Sequence, residues 1–248
     1  MIIIKQADAF NQWRKKESLS VGFVPTMGAL HRGHLSLVKK SIEMCNKTVV
    51  SIFLNPTQFG PNEDFESYPK TIESDIRLLK SAGVDVLFLP NEKEMYSRVA
   101  SAKVPESPLF KKLEGKSRPH FFFGVTTIVA KLFNIINPSH TFFGKKDAQQ
   151  LIIVERMIQK MKYSIKMIPV ETERDANGLA LSSRNQYLNG SQQKEASLIF
   201  KGLTKIKKNY QQKQYDECGR NLFVKPKVHK MELISELHNL INKIDFFY

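Results

Sequence analysis

Short apolar runs alternate with amphipathic stretches through most of the chain, and that alternation predicts strands and helices in turn. Ile2, Ile3 and Ile4 read as a buried strand. Residues 21–25 form a second apolar run, closed by Pro25 and followed by Thr26, Met27 and Gly28, so a strand ends there in a loop. Over 33–45, Leu35, Leu37, Val38, Ile42 and Cys45 recur at largely helical spacing. A third run over 49–54 stops at Asn55-Pro56. Strand, helix, strand makes a βαβ unit, which implies parallel strands joined by right-handed crossovers.

The pattern continues. Residues 71–82 suit an amphipathic helix capped by Gly83, and 86–89 a strand ended by Pro90. A largely apolar helix is expected over 125–136, a strand over 141–143, a helix over 147–161 and a closing strand over 165–170. Beyond Arg184 the chain becomes polar and helical, with Lys201, Lys205, Lys207 and Lys208, a loop over 218–227 and a final helix over 231–244. The expectation is an α/β protein: a doubly wound parallel sheet over 1–184 and a small α-rich C-terminal domain over 185–248.

Composition narrows the class. A chain of 248 residues suits one substantial core plus a smaller appendage. No apolar run approaches the ~20 residues of a membrane helix, and the N-terminal run is too short for a signal peptide. Cys45 and Cys218 lack the spacing of a zinc or redox motif, so a cytoplasmic location is expected. The net charge of +14 fits either polyanion binding or a lysine-rich solvated surface with a pocket for an anionic substrate. The lysines are dispersed and no nucleic-acid-binding signature occurs, which favours the second and argues against a specific nucleic-acid partner.

Four segments carry candidate chemistry. At 25–34, Pro25-Thr26-Met27-Gly28-Ala29-Leu30-His31-Arg32-Gly33-His34 joins a strand to a helix. Backbone N–H groups at a helix N-terminus attract phosphate, and two histidines three apart share a face from which each can donate to a phosphate oxygen. Alone, the same residues also read as a helix cap beside a surface histidine. Asn55 and Gln58 follow the next strand and could hydrogen-bond a small polar substrate, or form an ordinary turn. Gly144-Lys145-Lys146-Asp147 precedes a helix; Lys146 suits a phosphate, Asp147 a ribose hydroxyl or an N-cap. Finally, Ser182-Ser183-Arg184 follows a glycine turn and could clamp phosphates, or serve as a domain linker.

In this order the segments resemble the pantothenate synthetase (pantoate–β-alanine ligase) family over residues 21–188. The resemblance rests on Pro25-Thr26-Met27-Gly28, His31-x-Gly33-His34, Asn55-Pro56-x-Gln58-Phe59, Tyr68-Pro69, Arg118-Pro119, Lys131-Leu132-Phe133-Asn134, Phe143-Gly144-x-Lys146-Asp147, Gln149-Gln150 and Asp175-x-x-Gly178-Leu179-Ala180-x-Ser182-Ser183-Arg184. It implies a Rossmann-like nucleotidyltransferase fold and a two-step ligation. The pantoate carboxylate attacks the α-phosphorus of MgATP, and the amine of β-alanine then attacks the pantoyl adenylate and releases AMP.

The resemblance further implies residue roles. His31, His34 and Lys146 would be catalytic, stabilising charge on the triphosphate. ATP would contact Met27, Gly28, Ala29, Leu30, His31, Arg32, Gly33, His34, Gly144, Lys145, Lys146, Asp147, Glu173, Leu181, Ser182, Ser183 and Arg184. Pantoate and β-alanine would meet Gln58, Gln150, Asn55, Tyr68 and Arg118, and Asp75 would contact Mg²⁺. A homodimer is implied. Three departures stand out: Phe121 takes the place of a usual histidine, with His120 one position early; Glu173 stands where an apolar residue is usual; and the C-terminal lid domain looks abbreviated. The alternatives are another nucleotidyltransferase of the same fold, or a weakened homologue that binds nucleic acid through its basic surface.

Overall fold

The structure is a computed structural model and describes residues 1–99 and 103–212. The expected loop over 218–227 and helix over 231–244 lie outside the described residues. The chain divides into two compact units, Met1–Glu173 and Arg174–Tyr248.

The first unit is built on six parallel strands: β1 (Ile2–Ile4), β2 (Val21–Thr26), β3 (Lys47–Ile52), β4 (Val86–Phe88), β5 (His140–Gly144) and β6 (Lys166–Val170). Their order across the sheet is β1-β4-β3-β2-β5-β6. The helices are α1 (Ala7–Lys16), α2 (Arg32–Met44), α3 (Ile72–Ser81), the short α4 (Glu114–Ser117), α5 (Phe121–Ile136) and α6 (Ala148–Lys160). Successive strand residues serve opposite faces, as the period-two geometry of a strand requires. Val49, Val86 and Phe88 join a core with Phe10, Phe133 and Val154, whereas Val50, Ile52 and Leu87 join a second core with Leu37, Val38 and Leu79. Helices therefore cover both faces, and the sheet is doubly wound as expected.

Two of the longer elements differ from the expectation. Helix α1 falls in a stretch dominated by polar residues, yet Ala7 and Phe10 are buried and Trp13 packs edge-on against Phe10 at 5.2 Å. Helix α5 starts at Phe121, four residues early, and buries nearly its whole circumference, as an all-round apolar helix must. Its one buried charge, Lys131, donates to the carbonyls of Met95 and Val99 at 2.7 and 2.9 Å.

The strand order reverses at β2. From β2 the chain moves outward through β3 and β4, then returns to place β5 on the other side of β2. The segments following β2, β3 and β5 thus leave the same edge of the sheet as neighbours, the crevice in which open α/β sheets hold ligands.

Candidate active site

The segment after β2 is determined by its own hydrogen bonds. His31 is the N-cap of α2, and its Nδ1 accepts from the backbone N–H of Gly33 at 3.1 Å. His34 reaches back, so its Nδ1 accepts from the N–H of His31 at 3.3 Å. The two form a reciprocal capping box with imidazoles where serine and glutamate usually serve. A Cβ at Gly33 would lie 2.9 Å from Cε1 of His31, so any larger residue would displace that ring. The ring centroids are 4.1 Å apart.

That geometry sets the protonation of both rings. A nitrogen that accepts an N–H carries no proton, so in each neutral ring the proton sits on Nε2. Burial, His31 and Lys146 hold the pKa of His34 down to about 3. Burial and Lys146 also lower that of His31. At neutral pH the site therefore offers neutral imidazole N–H donors and no spare proton on His34.

Asp75 stabilises the same loop from beneath. Gly28 and Ala29 have φ of 89° and 51°, a left-handed pair that turns successive N–H groups to one side. Ala29 N–H and Leu30 N–H each donate to the Asp75 carboxylate at 2.9 Å, and the Thr71 hydroxyl adds a bond at 3.2 Å. Asp75 is 1% exposed. This differs from the sequence expectation in two respects. Asp75, expected at Mg²⁺, holds the loop through both its oxygens. The N–H groups of His31, Gly33 and His34 at the start of α2, where phosphate was expected, bond within the protein, as do those of Gly28, Ala29 and Leu30. Met27 and Leu30 are partly buried here, and Arg32 is exposed.

Lys145, Lys146 and Asp147 form a single turn after β5, all exposed. Lys146 acts electrostatically on both histidines, so the two segments come together. Its Nζ lies 3.1 Å from Asp147, while Lys145 pairs with Glu171. Asp147 occupies the N-cap of α6 without a side-chain capping bond, so the capping alternative for this residue does not hold. A Cβ added at Gly144 would meet nothing within 4 Å. Glu173 approaches the start of α2, its Cβ 3.8 Å from where a Gly33 Cβ would stand. Gln150 lies in the first turn of α6, half-buried; Gln149 binds the carbonyls of Leu109 and Lys112 at 2.9 and 2.7 Å.

After β3, Pro56–Gln58 makes one 3-10 turn. Asn55 is wholly buried, and protein partners use both ends of its amide. Gln58 is only half-buried. Tyr68 packs edge-on against Phe59 at 5.9 Å. Arg118, expected at substrate, is engaged by the protein: it pairs with both oxygens of Glu63, with Glu114 at 2.8 Å and with the Gln58 carbonyl at 3.0 Å, and stacks 3.9 Å over Phe121. Asn55 and Arg118 therefore brace the Gln58 turn. Phe121 supplies the ring under Arg118, while His120 is exposed at the start of α5. Glu63, Tyr96 and Gly124 were not foreseen. Only Gly124, a glycine inside an apolar helix, left a mark in the sequence.

In the second unit, Asp175 closes a tight turn by accepting from the N–H groups of Asn177 and Leu179 at 2.8 and 2.9 Å. Arg174 stacks 3.8 Å over Phe200 of α7 (Gly190–Gln212). Ser182 caps the turn Ser183–Tyr187, accepting from Arg184 N–H at 3.3 Å, and Leu181, Ser183 and Arg184 are partly buried.

Residues 2–243 match the family described as pantoate-beta-alanine ligase. The chain belongs to the pantoate–β-alanine ligase family. It is accordingly a ligase that forms a carbon–nitrogen amide bond. The pantothenate synthetase of Fervidobacterium nodosum is 51% identical over 227 residues, covering 92% of this chain and 78% of that protein. That of Oceanobacillus iheyensis is 47% identical over 84% of this chain and 73% of its own length. Among solved structures, pantothenate synthetase from Thermus thermophilus superposes with a TM-score of 0.87 at 36% identity, covering 99% of this chain and 83% of its own. The pantoate-β-alanine ligase of Francisella tularensis, solved with β,γ-ATP and β-alanine, gives 0.77 at 36% identity over 97% and 86%. Among the described residues no helix is long and apolar enough to cross a membrane.

Proposed function

We propose that this ligase condenses pantoate with β-alanine at the expense of ATP, and that the paired neutral imidazoles of His31 and His34 act in the first of two steps. A pantoate carboxylate oxygen attacks the α-phosphorus of ATP; the bond to the bridging oxygen breaks and pyrophosphate leaves. The amine of β-alanine then attacks the adenylate carbonyl, an amide forms, one proton is released and AMP departs. Charge gathers on phosphate oxygens in the first step. Donors already fixed in place lower that barrier without reorganising.

The observation that carries the reading is the sealed Nδ1 of each histidine, which leaves Nε2–H as the only ring donor. With its pKa near 3, His34 stabilises charge rather than delivering a proton. Lys146 adds a full positive charge to the same phosphates. Gln58 and Gln150 bracket pantoate, with Tyr68 backing the pocket. Gly144 and Asp147 take the ribose, and Met27 and Glu173 lie along the nucleotide. Ser182, Ser183 and Arg184, on the turn that Ser182 caps, are further candidate phosphate donors. Magnesium arrives within the substrate, as the metal complex of ATP; among the described residues no group of three His, Cys, Asp or Glu side chains could hold a metal ion. Its cysteine usage supports a cytoplasmic enzyme, and the family resemblance supports a homodimer.

One assay with ATP, magnesium, pantoate and β-alanine tests the reaction: AMP and the amide form together, and omitting either organic substrate abolishes both. Formation of a nucleotidylated product without β-alanine-dependent amide would instead make the chain a nucleotidyltransferase that stops after the first step.

A further inference from the structure

The turn after β3 sits directly on α5, and the contact demands glycine. A Cβ at Gly124 would lie 2.3 Å from the Thr57 carbonyl oxygen and 3.0 Å from the Gln58 nitrogen. This approach brings the Gly124 carbonyl within 3.2 Å of Asn55 Nδ2. A backbone carbonyl only accepts, so the Asn55 atom facing it has to be the amino group, and the orientation of that amide follows. The same Nδ2 lies 2.9 Å from the Gln58 side chain, whose facing atom has to accept and is therefore Oε1. On the opposite side, Asn55 Oδ1 accepts from the Tyr96 hydroxyl and from Thr57 Oγ1 at 3.1 Å. Every position of the buried Asn55 amide is filled.

The remaining end of Gln58, Nε2 with two N–H donors, points away from Asn55. Reversing Gln58 would set one amino group against another and orphan a buried donor. Tyr96 is itself held in place: Lys131 of α5 binds the carbonyls on either side of it, at Met95 and Val99, and lies 5.0 Å from its ring. Burial also raises the Tyr96 pKa, which keeps the phenol protonated and a donor.

We infer that Gly124 and Tyr96 are positioning residues which, acting through Asn55, fix the polarity of the Gln58 amide so that it presents N–H donors to an acceptor-bearing ligand. A carboxylate or a hydroxyl lone pair fits that face, and a donor group does not. The inference rests on the placement of pantoate at Gln58 under Proposed function. It makes Tyr96 a determinant of acid binding although it lies behind the residue that touches the acid.

The test uses the full chain and steady-state kinetics with each substrate varied in turn. Gln58→Ala examines the placement. Tyr96→Phe, which keeps the ring and removes only the hydroxyl, and Asn55→Asp, which replaces the inner donor by an acceptor, examine the relay. Tyr96→Phe is expected to raise the KM for pantoate about 3- to 10-fold and Asn55→Asp about 10- to 100-fold, with the KM for ATP within about twofold. Melting curves show whether Asn55→Asp folds; if it does not, Tyr96→Phe decides. If Gln58→Ala raises the pantoate KM while Tyr96→Phe leaves it within about twofold, the relay is wrong and the placement survives. If Gln58→Ala leaves it unmoved, the placement fails and the relay with it. Equal rises in both KM values under Tyr96→Phe would mean general loosening and overturn the relay.

Discussion

The segments after β2 and β5 are neighbours across the point where the strand order reverses, yet they are built on opposite principles. The first, 27–34, is partly buried, and hydrogen bonds within the protein fix its loop, both imidazoles and the start of α2. The second, 144–147, puts two lysines and an aspartate in solvent, where their side chains make surface ion pairs. Exposed pairs of this kind contribute about 0–1 kcal/mol and break readily. The contrast assigns two kinds of electrostatic work. Under the proposed mechanism, fixed neutral donors would serve developing charge, while loosely held cations would leave Asp147 and Glu171 for an incoming polyphosphate.

Breaking the rigid side should have the largest effect. Single-turnover release of pyrophosphate should slow about 10²- to 10³-fold in His34→Ala. Because each imidazole caps the backbone under the other, adding His31→Ala should cost far less than a second such factor. Fully additive losses would mean that the two rings work independently. If His34→Ala slowed only the later amide-forming step, the assignment to adenylation would fail.

Asp75→Asn comes next. It replaces one of two acceptors by a donor facing Leu30 or Ala29, so urea denaturation should show a loss of about 1–3 kcal/mol, accompanied by slower adenylation. Were Asp75 chiefly a metal contact, the variant would keep its stability and lose activity in a way that excess magnesium restores.

The loosely held side should respond more weakly and in a salt-dependent manner. Lys146→Met should raise the KM for ATP about tenfold and flatten its dependence on ionic strength. Lys145→Ala, which loses an exposed pairing with Glu171, should change that KM by about twofold at most. Equal effects from the two lysines would remove the distinction drawn between them.

The two regions also differ in how far they could be read from the chain. Lys145, Lys146 and Asp147 are adjacent, so their chemistry showed in a few consecutive letters. The sheet too was legible, because buried parallel strands are continuous apolar runs between helical stretches. His31 and His34 were visible as a pair, but their state was not. Their tautomer depends on a local backbone fold, and that fold depends on Asp75, which lies 46 positions after Ala29. Likewise, Asn55 and Arg118 looked like substrate contacts because they stand beside Gln58 or within a matching motif. Only tertiary packing, through Glu63, Tyr96 and Gly124, shows their side chains bound to the protein. Helix α1 escaped notice because its buried stripe of Ala7 and Phe10, extended by the partly buried Trp13, is narrow and its other positions are mostly polar.

The proposed role of the histidine pair requires His34 to be a neutral Nε2–H donor, and a pH titration of the nitrogen-15-labelled imidazoles by NMR observes that directly. His34 should show a protonated Nε2 and an unprotonated Nδ1 at pH 7, and because its pKa is lowered to about 3 it should take up no second proton as pH falls through the usual histidine range near 6.5. A His34 that titrates near 6.5, or that carries its proton on Nδ1, would contradict the account.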